Sequence, residues 1–345
     1  MQSSLTLHKN NFTFLRLLGA VLVIFTHTYD VTGNSVREPV GYLTNGIIEA
    51  SGIGLCIFFF ISGYFITQSA IITERTSLFV KKRILRIYPA LIVLIMISVF
   101  IAGPLLTSLS IRQYFLDNTT WLYLFTATGL RIRMNLPGVF TEFFFVKSFN
   151  ASLWSIALEI QLYISVIFFL LTGILKNRRI FSIICLSIVI SCFLILAFKS
   201  NLSFVWMRFL NLASLFYLGS FIYTSAINKK LLIKILLSSI LLYFLALKFA
   251  PTLFNSIFLL LLITGISVHL TGFTKKINIA LKADISYGLY IFAFPIQQIV
   301  FKLSGFSSSI IVNLLGTTIL LVPIAFASWY LIEKPFIALK HPTNQ

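Results

Sequence analysis

The sequence predicts an all-α, polytopic integral membrane protein of about ten transmembrane helices, with the N- and C-termini both inside. Three observations carry that prediction. Mean hydropathy is +0.98, and only 10% of the 345 residues are charged, against about 25% in soluble chains. Apolar runs long enough for the roughly 20 residues that a hydrocarbon core demands recur from one end to the other. Basic residues gather in short clusters between those runs. A single membrane-embedded domain over 1–345 is expected, with no separate soluble domain.

The runs fall at 11–30, 45–70, 88–107, 151–174, 180–198, 204–226, 231–249, 252–271, 284–303 and 308–331. With the N-terminus inside, 17 Lys and Arg face the cytoplasm and 9 face outward, Arg16 lying within the first run. This excess sets the orientation as N-in, C-in. It also explains most of the +18 net charge, so membrane lipids rather than nucleic acid are the expected contact of the basic residues. Cys56, Cys185 and Cys192 sit inside apolar runs with no paired spacing and no His or Asp beside them, and read as apolar filler rather than a metal site or disulfide framework. Arg16 interrupts the first run and no small-x-small cleavage site follows, so that helix is expected to remain in the mature protein. No Walker, Rossmann, zincin or nucleophile-elbow pattern is present.

The first run carries Arg16 at one end and His27 at the other. A charge at mid-membrane costs roughly 2.5 to 3.5 kcal/mol on insertion scales, which makes such residues functional candidates. Eleven residues of helix bring His27 to within about 20° of Arg16's direction, with the two Cα atoms about 16 Å apart. Arg16 would lie near the cytoplasmic face and His27 in the outer third. The competing reading has Arg16 snorkelling to the inner interface and His27 wet at the outer one. Asp30, three residues after His27, is a further orienting candidate, read here as a solvated helix-end carboxylate.

In the fourth run Ser155, Glu159 and Tyr163 share one helix face. Glu159 is the only acidic residue well inside any run, at a depth comparable to His27. A carboxylate there would fix the imidazole tautomer and stabilise its protonated form, as a general base requires. An interhelical ion pair, for example to Arg208, competes with that reading. Arg83 and Arg86, at i, i+3 in the densest basic cluster, are spaced to grip a phosphate by forked hydrogen bonds, or to touch anionic lipid. Pro89, at the opening of the third run, fits a first-turn helix position. Gly52, Gly54, Ser62 and Gly63 suit close helix packing, and His269 reads as a packed or interfacial histidine. The long segment 108–150, with Trp121, Tyr123, Phe125, Phe140, Phe143, Phe144, Phe145 and Phe149, reads first as an interfacial aromatic belt and second as a surface for sugar rings.

Taken in order, Arg16-x10-His27, the FFFISGYFI segment, Arg83-x-x-Arg86-x-Tyr-Pro, Leu153-Trp154-Ser155 with Glu159 and Tyr163, Ile285 to Tyr290, and Glu333-Lys334-Pro335 resemble acyltransferase family 3. These are integral-membrane enzymes, mostly bacterial, that O-acylate cell-envelope polysaccharides. The stretch from Leu136 to Trp154 looks like the O-antigen and exopolysaccharide O-acetyltransferase branch. The resemblance implies acetyl-CoA as donor from the cytoplasm, no metal, no permanently bound cofactor, and a lipid-linked or growing glycan modified at the outer side of the bacterial inner membrane. It implies Arg83 and Arg86 on the CoA phosphates, Arg16 along the pantetheine arm, and His27 as general base or acyl carrier. Glu159 would orient His27, and Trp154, Ser155 and Tyr163 would lie on the acceptor side. Two positions depart from the family pattern: Thr13 stands where many members have aspartate, and Phe294 where many have histidine. A transporter of acyl groups or lipid-linked sugars, or the same fold moving another acyl group such as succinyl, are the alternatives.

Overall fold

The computed structural model describes residues 10–33, 37–44, 46, 48–73, 75–142, 148–198, 202–249, 255–274, 281 and 283–339. Phe143, Phe144 and Phe145 of the aromatic segment, and the start of the 252–271 run, lie outside the described residues. The regular elements among the described residues are all helical, with one isolated β-bridge between Thr107 and Val139 and no sheet. In chain order the α-helices are α1 (Phe12–Thr32), α2 (Pro39–Leu43), α3 (Ala50–Thr73), α4 (Thr76–Ile97), α5 (Gly103–Leu106), α6 (Ile111–Leu116), α7 (Asn118–Leu124) and α8 (Trp154–Leu171). They continue as α9 (Arg178–Phe198), α10 (Phe204–Thr224), α11 (Lys229–Phe249), α12 (Asn255–Gly272), α13 (Ser286–Leu303), α14 (Ile310–Ala327) and α15 (Lys334–Ala338).

Each of the ten apolar runs coincides with a helix. Seven helical stretches among the described residues are long and apolar enough to cross a membrane, and the chain is a multi-pass membrane protein. Helix α13 falls short of that measure because Gln297, Gln298 and Lys302 lower its hydropathy. One boundary differs from the sequence expectation. Helix α4 begins at Thr76, so Pro89 lies in its interior rather than at its first turn. The segment from Thr76 to Tyr88 contains no glycine or proline, so the helix runs through it.

The chain forms two compact units: residues 1–19, 52–76 and 162–282 make the first, and residues 20–51, 77–161 and 283–345 make the second. In the first, α3 and α10 meet backbone to backbone. A Cβ on Gly63 would overlap the Phe216 carbonyl, and one on Gly219 would overlap the Phe60 carbonyl. Close approach then lets side-chain hydroxyls reach across. Ser220 Oγ donates to Gly63 O at 3.2 Å, and Thr67 Oγ1 donates to Ser220 Oγ at 2.8 Å. Small residues with crossing hydroxyls are how helices associate where lipid removes the usual hydrophobic drive.

In the second unit α13 is the hub. Pro295 in its interior has no N–H to give to the Ile291 carbonyl one turn back. Asn150 Nδ2 donates to that carbonyl instead, at 2.8 Å, from a fully buried side chain. Gln298 Nε2 donates to Ser148 O and Phe149 O at 2.7 and 3.0 Å, and Tyr290 Oη donates to Ser152 O at 2.8 Å. The segment leading into α8 is thus fastened along α13 by side-chain donors.

The α3–α10 contact yields a direct test. Gly63→Ala is expected to cost about 3 kcal/mol or more, the upper part of the overpacking range, because the clashing atom is backbone. Gly305→Ala, at φ +67 with open space around it, should cost only about 1 kcal/mol. Thermal unfolding of the purified variants in detergent measures the difference.

Candidate functional site

Two constellations of polar side chains lie in the second unit. The first is centred on His27 in α1. Its Nδ1 sits 2.9 Å from Asp30 Oδ2, one helical turn on. The i, i+3 spacing stacks the two side chains on one face. Asp30 is therefore more than the solvated charge that its position suggests: it is 47% exposed, yet holds a histidine that is itself only 19% exposed. With Nδ1–H donated to the carboxylate, the lone pair resides on Nε2. Phe294 of α13, fully buried, packs edge-on against the imidazole, with ring centres 5.0 Å apart at 87°. The position where the family pattern suggests histidine is thus in ring contact with His27.

Behind this ring contact lies a set of buried hydrogen bonds that the sequence reading missed. Gln297 Nε2 donates to Ile24 O at 2.8 Å and to Thr28 Oγ1 at 2.9 Å, the two residues that bracket His27's turn. Thr28 Oγ1 donates to Ile24 O at 3.0 Å, and Asn313 Nδ2 of α14 donates to Gln297 O at 2.9 Å. The available signal was the Gln297-Gln298 pair inside an apolar run two residues after a proline.

The second constellation is built on α4. Arg86 donates from Nη2 to Asp284 Oδ2 at 3.0 Å and from Nη1 to Glu333 Oε2 at 3.4 Å. Its guanidinium carbon lies 5.9 Å from the centre of the Tyr287 ring. Tyr287 Oη in turn donates to Ile87 O at 2.9 Å, which fixes the ring beside the arginine. Glu333 is 1% exposed and ends a π-helical turn, Ser328–Glu333. The i, i+5 register of such a turn brings Ser328 Oγ over Glu333 Oε1, to which it donates at 3.0 Å. Gly288 lines the same place, since a Cβ there would meet Ala325 and the Glu333 carboxylate. Arg83, half-buried on the same helix, stacks on Phe79 at 5.6 Å.

The remaining sequence candidates are distributed as follows. Ser155 Oγ is 2.6 Å from Tyr290 Oη in the second unit, so its hydroxyl ties α8 to α13. Glu159 and Trp154 are half-buried on α8, and the carboxylate 2.9 Å from His27 Nδ1 is that of Asp30. Arg16 and Tyr163 belong to the first unit. Arg16 Nη2 donates to Thr13 Oγ1 at 3.4 Å, and Tyr163 Oη is 3.0 Å from Ser62 Oγ. His269, also in the first unit, packs against Tyr64 and Phe273 as a ring among rings.

Many apolar helices, a carboxylate-held histidine and a half-buried arginine with two carboxylates define a membrane protein with a polar, ionisable interior, the signature of a functional site rather than an anchor. The model of an acyltransferase domain matches residues 9–333, and the chain belongs to acyltransferase family 3; it is an acyltransferase. It is 29% identical over 97% of its length to an O-acetyl transferase of Shigella phage Sf6, of which it covers 98%. It is also 29% identical over 46% of its length to nodulation protein 10 of Rhizobium leguminosarum bv. viciae, of which the match covers 43%. No solved structure matches the chain significantly.

The Arg86 cluster predicts a specific pattern of stability. Arg86→Gln strands two carboxylates, one of them buried, and is expected to cost about 3 to 5 kcal/mol. Arg86→Gln combined with Glu333→Gln should recover part of that loss. The yield of monodisperse protein and its melting temperature measure both.

Proposed function

We propose that this enzyme transfers an acetyl group from acetyl-CoA to a sugar hydroxyl of a bacterial surface polysaccharide, O-antigen or exopolysaccharide, within the inner membrane. The observation that carries the reading is the His27–Asp30 pair, a half-buried imidazole with one nitrogen held by a carboxylate. Family membership and the phage O-acetyl transferase relative support the chemistry, and the positive-inside excess supports a cytoplasmic position for the basic end of α4.

His27 Nε2 accepts the proton of the sugar hydroxyl as the oxygen attacks the thioester carbonyl. The tetrahedral carbon then expels the CoA sulfur, which takes the proton, leaving an O-acetyl sugar and free CoA. Asp30 holds the ring in register throughout, and Glu159 adds negative charge on α8. General-base assistance of this kind contributes about 10²- to 10⁴-fold. An acyl-histidine intermediate would use the same nitrogen. Arg83 and Arg86 serve the CoA phosphates from one end of α4. Arg16, on the same helix as His27, lines the pantetheine path. On α8, Trp154 and Ser155 take the acceptor side, the half-buried ring of Trp154 being suited to a sugar face, while Tyr163 is buried and held by Ser62.

The test compares surface polysaccharide from cells with the intact gene, a deletion and His27→Ala, by proton NMR and mass spectrometry before and after mild base. The expected result is a base-labile acetyl signal with the intact gene alone, while His27→Ala protein still reaches the membrane. Identical esters in all three would refute the reading. An added mass other than acetyl would correct the donor.

A further inference from the structure

We infer that Gln297 is a positioning residue for acyl transfer: from α13 it clamps the turn of α1 that carries His27, and so sets where the imidazole stands. The inference rests on the proposed role of His27. Gln297 itself is fully buried, as is Thr28, and Asn313 is 1% exposed, so the clamp is built in the interior. The orientation of the amide is fixed by chemistry, because the Ile24 carbonyl only accepts and the group 2.8 Å from it must be the amide nitrogen. Ile24 and Thr28 lie one turn apart, and His27 lies between them. Holding both leaves that turn little room to rotate.

A second observation argues that the clamp is more than packing. Gln297 Oε1 is buried and accepts no hydrogen bond among the described residues. A leucine or methionine of similar volume would avoid that cost, and helix association does not require a glutamine here. The position therefore keeps a destabilising group whose donor end grips the histidine's turn. Phe294, one turn earlier on α13, touches the imidazole directly. One helix thus meets the ring on its edge and its backbone from behind.

The test uses full-length enzyme in native membrane vesicles, with radiolabelled acetyl-CoA and the polysaccharide of the host strain as probes. Activity is normalised to folded protein. Gln297→Met keeps the volume and removes the donors. It is expected to lower kcat about 10- to 100-fold, the scale of a reacting group displaced by about 1 Å, with KM for acetyl-CoA within about twofold. Thr67→Val, which breaks a buried hydroxyl contact in the first unit, serves as a control for lost stability and should leave kcat per folded molecule unchanged. The ring resonance of His27, assigned by its disappearance in His27→Ala, should shift in Gln297→Met through its altered edge-on contact with Phe294, and stay in place in Thr67→Val. Wild-type kcat and an unmoved resonance in Gln297→Met, with His27→Ala inactive, would overturn this inference alone. An active His27→Ala would overturn the role of His27 itself.

Discussion

A helix in hydrocarbon has to satisfy its own backbone, and the second unit depends on how α13 answers that constraint at Pro295. The ring removes one donor from the ladder, and the deficit falls on the carbonyl of Ile291, which Asn150 repairs from a distant part of the chain. That repair is not local, so it has tertiary consequences. It fastens the segment entering α8 against α13, and Gln298 and Tyr290 extend the same seam. With α13 fixed on that side, Phe294 and Gln297 are presented to α1 on another. The position of His27 follows from that arrangement.

The charges obey a related logic. A guanidinium taken out of water needs partners of opposite sign with hydrogen-bond geometry, and Arg86 has Asp284, Glu333 and the face of Tyr287. Asp284 precedes α13, and Glu333 closes the π-turn after α14. One arginine thereby joins three distant stretches of sequence. Arg83 lies one turn away on the same helix, against the Phe79 ring. Mechanism and architecture meet at this point, since a ligand that drew Arg86 away would also loosen the end of α13.

The fold class was legible because length and apolarity alone decide it. Ten runs of suitable length read as ten helices, and helices stand at each of them. Pro89 was misplaced because a proline is compatible both with a first turn and with a helix interior, and α4 starts thirteen residues earlier, at Thr76. His27 stood out as an ionisable group in an apolar run. Asp30 was visible as a second orienting candidate beside Glu159, but it sat at a helix end where solvation is the ordinary expectation. Local spacing of three residues decided the actual contact. Gln297, Asn313 and Asn150 escaped because each meets a backbone carbonyl on another helix, and no sequence pattern records which carbonyl a buried amide will meet. Asp284 and Glu333 were visible as boundary motifs, but their convergence on Arg86 is a tertiary fact.

The central claim is that acyl transfer passes through this enzyme from a CoA thioester to a glycan hydroxyl. Inside-out vesicles containing the protein and acceptor glycan, supplied externally with radiolabelled acetyl-CoA, test it most directly. The account predicts label in the glycan as a base-labile ester, formed in step with released CoA thiol. Release of CoA without glycan label, or glycan label equally formed in vesicles lacking the protein, would contradict it.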